Sequence, residues 1–245
     1  MTSSDKRTKM SFKKLGARIK ALLYLPFSTF SVLCVFLAFC FARSQTQIWQ
    51  IRKSWASLQG EVFGFDYELV GEFDNKANMI LMNHQSMLDI IALESLYPKN
   101  LAWIAKKELR EIPIFKFAMI KPKLLCIDRS NPRDLVRILK EAKQRLDEGR
   151  VLAIFPEGTR SKGEKMLKFQ SGAQVLAEKL GLKVQPILIV DSAKILDSKA
   201  LSLKSGTLKL ICLPLVNTSK ENWLSNTRKL MQERLDKEKV LENIK

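Results

Sequence analysis

From Gly60 onward, apolar residues fall into short runs separated by longer amphipathic stretches. Phe65–Phe73, Met79–Met82, Leu101–Ala105, Leu124–Ile127, Val151–Phe155, Val184–Val190 and Leu208–Leu213 have the length and content of strands. Between them the apolar spacing predicts helices over Met87–Leu96, around Ile114–Met119, and over Gly172–Leu180, stopped by Gly181. Asn131-Pro132 opens another helix, with a capping side chain followed by a proline at the first helical position, and Gly149 ends it. A charged helix follows from Lys220 to about Lys239. Strands alternating with helices of this length predict an α/β fold, a mixed, largely parallel sheet flanked by helices. Chemistry in such folds gathers in the loops at strand ends.

The first 59 residues follow another pattern. Ala21–Ala42 carries no charge and has about the ~20 residues that a bilayer-crossing helix needs. The basic residues Lys13, Lys14, Arg18 and Lys20 precede it, which also suits a secretory signal. The run is long for a signal and no small-residue cleavage site follows, so a retained membrane helix is expected. Basic flanks place its start inside, while Pro26 with Ser28, Thr29 and Ser31 offers a bend or re-entrant turn. Ile48, Trp49, Ile51, Trp55 and Leu58, among Arg52 and Lys53, have helical spacing; they fit a stalk helix packed on the domain or an interfacial helix, with the aromatic and basic content favouring the latter. Residues 1–59 are therefore expected to anchor, and 60–245 to form the working domain.

With 46% apolar and 27% charged residues, a buried core is available. The formal net charge of +17 implies a partner rich in negative charge: nucleic acid, an anionic membrane surface or a phosphorylated substrate. Cys34, Cys40, Cys126 and Cys212 lack CxxC spacing and read as reduced, buried side chains, with neither a disulfide framework nor a metal site indicated.

Two strings carry candidate chemistry, and both follow strand candidates directly. The first is Asn83-His84-Gln85-Ser86-Met87-Leu88-Asp89, which holds the only histidine of the chain. At the start of a helix, one turn brings Asp89 close to the imidazole; a carboxylate there fixes the tautomer and leaves the other ring nitrogen free as a general base. Alone, the string equally describes a structural histidine at a helix cap. Ser86 inside it lacks an oriented base of its own. The second string is Phe155-Pro156-Glu157-Gly158-Thr159-Arg160-Ser161, a strand-exit turn with a hydroxyl and a guanidinium beside backbone amides, a combination suited to a phosphate or carboxylate. Asp128-Arg129 repeats the cation at a strand exit.

The order Asn-His-x-x-x-x-Asp, Ile-Asp-Arg, Phe-Pro-Glu-Gly-Thr-Arg-Ser and Val184-Gln185-Pro186-Ile187 resembles the glycerolipid acyltransferases over roughly Asn78 to Val190, most closely their bacterial members acting on 1-acylglycerol 3-phosphate. The resemblance implies a catalytic dyad of His84 and Asp89 and acceptor binding by Arg129, Glu157, Gly158, Thr159 and Arg160, with the arginines on the glycerol phosphate. Lys106 matches a basic position between the first two motifs. It also implies acyl transfer from acyl-CoA or acyl-carrier protein to the sn-2 hydroxyl of lysophosphatidate, with no metal or cofactor, at the inner (cytoplasmic) membrane with the catalytic domain facing the cytoplasm. Two departures stand out: Lys121-Pro122-Lys123 replaces a glycine at the start of the second motif, and Gln170 follows Phe169 where a lysine is usual, so that one phosphate contact is either missing or supplied by Lys168 instead. An acyltransferase for another lysophospholipid or a lyso-aminolipid keeps the same chemistry. A membrane-tethered basic module for nucleic acid or anionic lipid would explain the charge alone; the paired motifs argue against nucleic acid.

Overall fold

The computed structural model describes residues 3–244 other than 112, 129, 130, 132 and 162, with side chains described from 14 onward apart from 113–115 and 242–244. Helix α1 (Ser3–Phe41) and helix α2 (Gln45–Phe63) form an antiparallel pair; β1 (Phe65–Val70), β2 (Met79–Met82), α3 (Leu88–Leu96), β3 (Leu101–Lys106), a 3-10 turn (Lys107–Glu111), α4 (Pro113–Ile120), β4 (Leu125–Ile127) and α5 (Asp134–Asp147) follow. After β5 (Val151–Ile154) come α6 (Ser171–Leu180), β6 (Val184–Val190), the short α7 (Ser192–Ile195), a hairpin of β7 (Leu196–Asp197) and β8 (Ser202–Leu203), then β9 (Gly206–Cys212) and α8 (Trp223–Ile244).

The main sheet has seven strands in the order β1-β9-β6-β2-β5-β3-β4. β4, β3, β5, β2 and β6 run parallel; β9 enters antiparallel to β6 and carries β1 alongside in its own direction. The sheet is thus mixed and largely parallel, as expected. Alternation along the central strands separates two cores. Ile80, Met82, Leu101, Trp103 and Ala153 face the layer holding α1, α2 and α3, whereas Met79, Leu81, Ala102, Leu152 and Ile154 face α5, α6 and α8.

The N-terminal segment differs in several details from the sequence reading. Pro26 lies within a continuous helix rather than at a re-entrant turn. Nearby hydroxyls are satisfied by helical carbonyls: Thr29 Oγ1 donates to Leu25 O at 2.8 Å and Ser31 Oγ to Ser28 O at 2.8 Å. Ser31 Oγ in turn accepts from Trp55 Nε1 and Gln59 Nε2 of α2, and Tyr24 meets Phe63 edge-on, so α1 and α2 are stitched together. α2 buries Ile48, Arg52, Ala56 and Phe63 against the domain, as the packed-stalk alternative has it, while Leu58 and Val62 stay exposed. Cys34 and Cys40 are exposed, against the expectation of burial, because they lie on the outer flank of α1 with Leu33, Leu37 and Phe41. α5 begins at Asp134, after Asn131, whose Oδ1 accepts the Arg133 N–H; Pro132, expected at the first helical position, lies outside the described residues.

Candidate active site

β2 and β5 are neighbours in register, Met79 opposite Leu152 and Leu81 opposite Ile154, and both chains leave at the same sheet edge. That adjacency brings the two candidate strings together. The loop after β2 is tied first to β6: Asn83 Nδ2 donates to Ile189 O at 2.8 Å and Asn83 Oδ1 accepts the Ile189 N–H at 2.7 Å. A side-chain amide thus continues the strand pairing where the backbone turns away.

His84 is then gripped through its backbone by the loop after β5. Its N–H donates to Glu157 Oε1 at 2.8 Å, and its carbonyl accepts from the Ser161 N–H at 2.8 Å and Ser161 Oγ at 3.1 Å. Glu157 Oε2 accepts the Leu167 N–H at 2.7 Å, so both carboxylate oxygens are engaged by backbone amides. The Glu157 side chain is buried, and that burial raises its pKa above the ordinary carboxylate value, an effect opposed by the amides of Leu167 and His84. The turn that permits this uses Pro156 and a Gly158 N–H bond to Phe155 O at 3.0 Å, with Gly158 at φ 69°, a left-handed conformation suited to glycine.

The imidazole is held separately. Asp89, in the first turn of α3 and 0% exposed, places Oδ2 at 2.8 Å from His84 Nδ1. The same oxygen accepts the backbone N–H groups of Gln85 at 2.6 Å and Ser86 at 2.9 Å. A carboxylate with these contacts accepts only, which sets the ring proton on Nδ1 and leaves Nε2 with its lone pair free. The His84 side chain retains 13% exposure. Its ring lies flat on Phe155, with centroids 3.9 Å apart and planes 14° from parallel. Ser86 Oγ donates to Leu196 O at 3.0 Å and has no role as a nucleophile in this geometry.

Thr159 and Arg160 are exposed beyond the Gly158 turn, and among the described residues Arg160 has no ion-pair partner. Lys106 ends β3 opposite Ile127, half-buried at the same sheet edge. Arg129, the other expected acceptor arginine, lies outside the described residues. The Lys121-Pro122-Lys123 departure falls at the strand-entry side, where Lys123 adopts φ 53° as the left-handed residue closing α4, with Leu124 N–H on Met119 O. Lys168 and Gln170 are exposed, and the Gln170 N–H donates to Pro156 O at 2.8 Å. The sequence reading did not single out Asn83, Phe155 or Ser161 as site residues. A polar amide directly after a wholly apolar strand was the one available signal, and it pointed to Asn83.

A family model described as acyltransferase matches residues 69–190. The chain is 44% identical over 178 residues to a 1-acyl-sn-glycerol-3-phosphate acyltransferase of Helicobacter pylori, covering 71% of this chain and 73% of that one. It is 36% identical over 129 residues to the similarly named protein of Pseudomonas aeruginosa and 32% over 182 residues to a chloroplastic one of Arabidopsis thaliana; in both cases the match spans 50% of the relative's length. Among solved structures, a 1-acyl-sn-glycerophosphate acyltransferase from Thermotoga maritima shares the fold with a TM-score of 0.70 at 21% identity, over 91% of this chain and 96% of that one.

Proposed function

The chain belongs to the glycerolipid acyltransferase family, and on that premise we propose that it moves a fatty acyl group from an acyl thioester to the sn-2 hydroxyl of 1-acylglycerol 3-phosphate, making phosphatidate for phospholipid synthesis. The observation that carries this reading is the His84–Asp89 contact of 2.8 Å inside a loop braced by Glu157. His84 Nε2 takes the hydroxyl proton as the oxygen attacks the thioester carbonyl carbon. The tetrahedral intermediate collapses, the C–S bond breaks, and the proton on Nε2 passes to the departing thiolate. Asp89 stabilises the imidazolium between those steps. The reaction calls for no metal and no covalent acyl-enzyme.

Arg160, Thr159, Lys106 and Arg129 form the acceptor side, with the guanidinium of Arg160 on the phosphate. Gly158 supplies the turn that presents Thr159 and Arg160. Glu157 serves the acceptor indirectly, since its oxygens are occupied in fixing His84 and the loop at Leu167. The donor is acyl-CoA or acyl-carrier protein, both anionic, and the net charge of +17 suits either.

Residues 1–59 anchor the catalytic domain, residues 60–245, on the cytoplasmic membrane, with the site facing the cytoplasm. α1 is long and apolar enough to cross a bilayer over Lys14–Phe41. It also touches the domain near both ends of that stretch, Lys20 Nζ on Ser205 Oγ at 2.8 Å and Phe36 against Phe117 at 5.3 Å. Those residues are ~24 Å apart along a helix, most of the ~30 Å hydrocarbon thickness. A bilayer surrounding α1 would have to displace the domain, so the exposed flank of Leu22, Phe30, Leu37 and Phe41 enters one leaflet instead.

The test is an assay of the full chain in mixed micelles with lysophosphatidate, lysophosphatidylethanolamine and lysophosphatidylcholine, each with acyl-CoA and acyl-carrier protein. Phosphatidate formation that is lost in His84→Ala, with vesicle binding retained, is the expected result. Preference for a lysolipid without a phosphate monoester, or unchanged turnover in His84→Ala, would overturn the reading.

A further inference from the structure

Hydrogen bonding alone does not fix the imidazole of His84. The Nδ1–Asp89 contact holds one atom of the ring, yet the plane can still swing about that contact and redirect Nε2. A second set of contacts removes this freedom. Phe155 lies flat against the imidazole at 3.9 Å, and Trp103 stacks in turn on Phe155, with centroids 5.4 Å and planes 24° apart. Phe155 leaves the end of β5 and Trp103 projects from neighbouring β3, where it pairs with Ala153. Trp103 is itself anchored, its Nε1–H donating to Glu94 Oε1.

Glu94 belongs to α3, the helix that also carries Asp89, and both carboxylates are buried. One helix therefore sets the base in two directions. Asp89 grips the ring in its plane, and Glu94, through Trp103 and Phe155, sets the platform beneath it. Glu94 in turn lies 3.5 Å from the Arg52 guanidinium, which is buried and tied to Asn100 Oδ1 at 2.9 Å and Leu101 O at 3.1 Å. This anchoring is what distinguishes the platform from ordinary core packing.

We propose that Phe155 and Trp103 are positioning residues for acyl transfer, an aromatic platform that fixes the plane of the His84 imidazole and stabilises the imidazolium formed during the reaction. The proposal rests on His84 being the base. An aromatic face attracts a cation held against it, and the charge exists only once the hydroxyl proton has moved. The platform thus acts on the step and not on acceptor binding, which predicts an effect on kcat without one on KM.

The test uses the full chain in detergent micelles. Phe155→Leu should lower kcat on the order of tenfold, the consequence of losing ~1.4 kcal/mol of transition-state stabilisation, with KM for lysophosphatidate unchanged. Phe155→Tyr keeps a ring in place and should rescue most of that loss. Because His84 is the only histidine, isotope labelling of histidine gives one Cε1–H signal. Ring currents from the platform should hold this signal upfield in the folded wild type, Phe155→Leu should release it, and Phe155→Tyr should not. The wild-type measurement stands even if a variant fails to fold. An unshifted wild-type signal, an unchanged kcat in a folded Phe155→Leu, or a rise in KM alone would each overturn the proposal. Turnover retained in His84→Ala would instead remove the base reading, while the wild-type signal would still report the stack.

Discussion

Asn83 and Ile189 are joined by a reciprocal pair of hydrogen bonds, side-chain amide to backbone amide, at 2.8 and 2.7 Å. The residue before His84 is thereby locked to the neighbouring strand, with both partners buried. Asn83→Ala leaves the Ile189 N–H unpaired and should cost roughly 2 kcal/mol of stability, read from the denaturant midpoint. It should lower kcat as well, because His84 loses its upstream fixed point. Unchanged stability would show that the loop is held elsewhere.

Asp89 contributes one oxygen to three donors, His84 Nδ1 and the amides of Gln85 and Ser86. In Asp89→Asn the amide cannot offer the same charge, and one orientation aims an NH₂ at those donors. We expect kcat to fall on the order of 10³-fold with a nearly unchanged KM for both substrates, measured at saturation. A loss below tenfold would assign the carboxylate a structural part only.

Burial raises the pKa of Glu157 from its reference value of 4.5, so protons bind more tightly in the folded than in the unfolded chain. The sign follows: its titration favours the fold most fully below about pH 4.5, and this contribution is lost as pH rises through the raised folded value. The stability of wild type minus that of Glu157→Gln, which does not titrate, should therefore be most positive at acid pH and fall as pH rises. A difference that rises with pH would mean that the two amide bonds outweigh desolvation.

Arg160 is exposed and unpaired among the described residues, so its removal disturbs little of the fold. Arg160→Ala should raise KM for lysophosphatidate between about tenfold and a hundredfold, as expected for a lost charge-assisted bond, while KM for acyl-CoA stays put. Arg160→Lys should recover only part, because an ammonium lacks the bidentate fork. A shift confined to the donor would move Arg160 to the other substrate.

Membrane placement can be read by labelling. With the four native cysteines replaced by alanine, Ser4→Cys and Arg43→Cys flank the apolar stretch Lys14–Phe41 of α1. If one flank of α1 lies in a single leaflet, a membrane-impermeant maleimide should reach both from the same side of sealed vesicles. Labelling from opposite sides would establish a span.

How much of this was legible along the chain depends on how local each feature is. His84 and Asp89 meet because the start of one helix brings them together, a relation contained in six consecutive residues. The string Phe155–Ser161 reads as an exposed turn, but the burial of Glu157 depends on β5 lying beside β2, which no local pattern states. Phe155 and Trp103 look like any core aromatics until their stacking and the Glu94 contact are seen. The same limit hid the insertion of β9 between β1 and β6 and the small β7–β8 hairpin. The exposure of Cys34 and Cys40 has a related reason: an apolar run along the chain does not tell which flank of its helix faces the domain and which faces outward.

The backbone of His84 is saturated on both sides by its own chain, N–H by Glu157 and C=O by Ser161, before any lipid arrives. The conformational entropy of ordering the His84 loop is consequently lost once, during folding, and is not incurred again in each catalytic cycle. Substrates therefore meet a loop that is already ordered, and their binding energy goes to orienting hydroxyl and thioester rather than to shaping the loop.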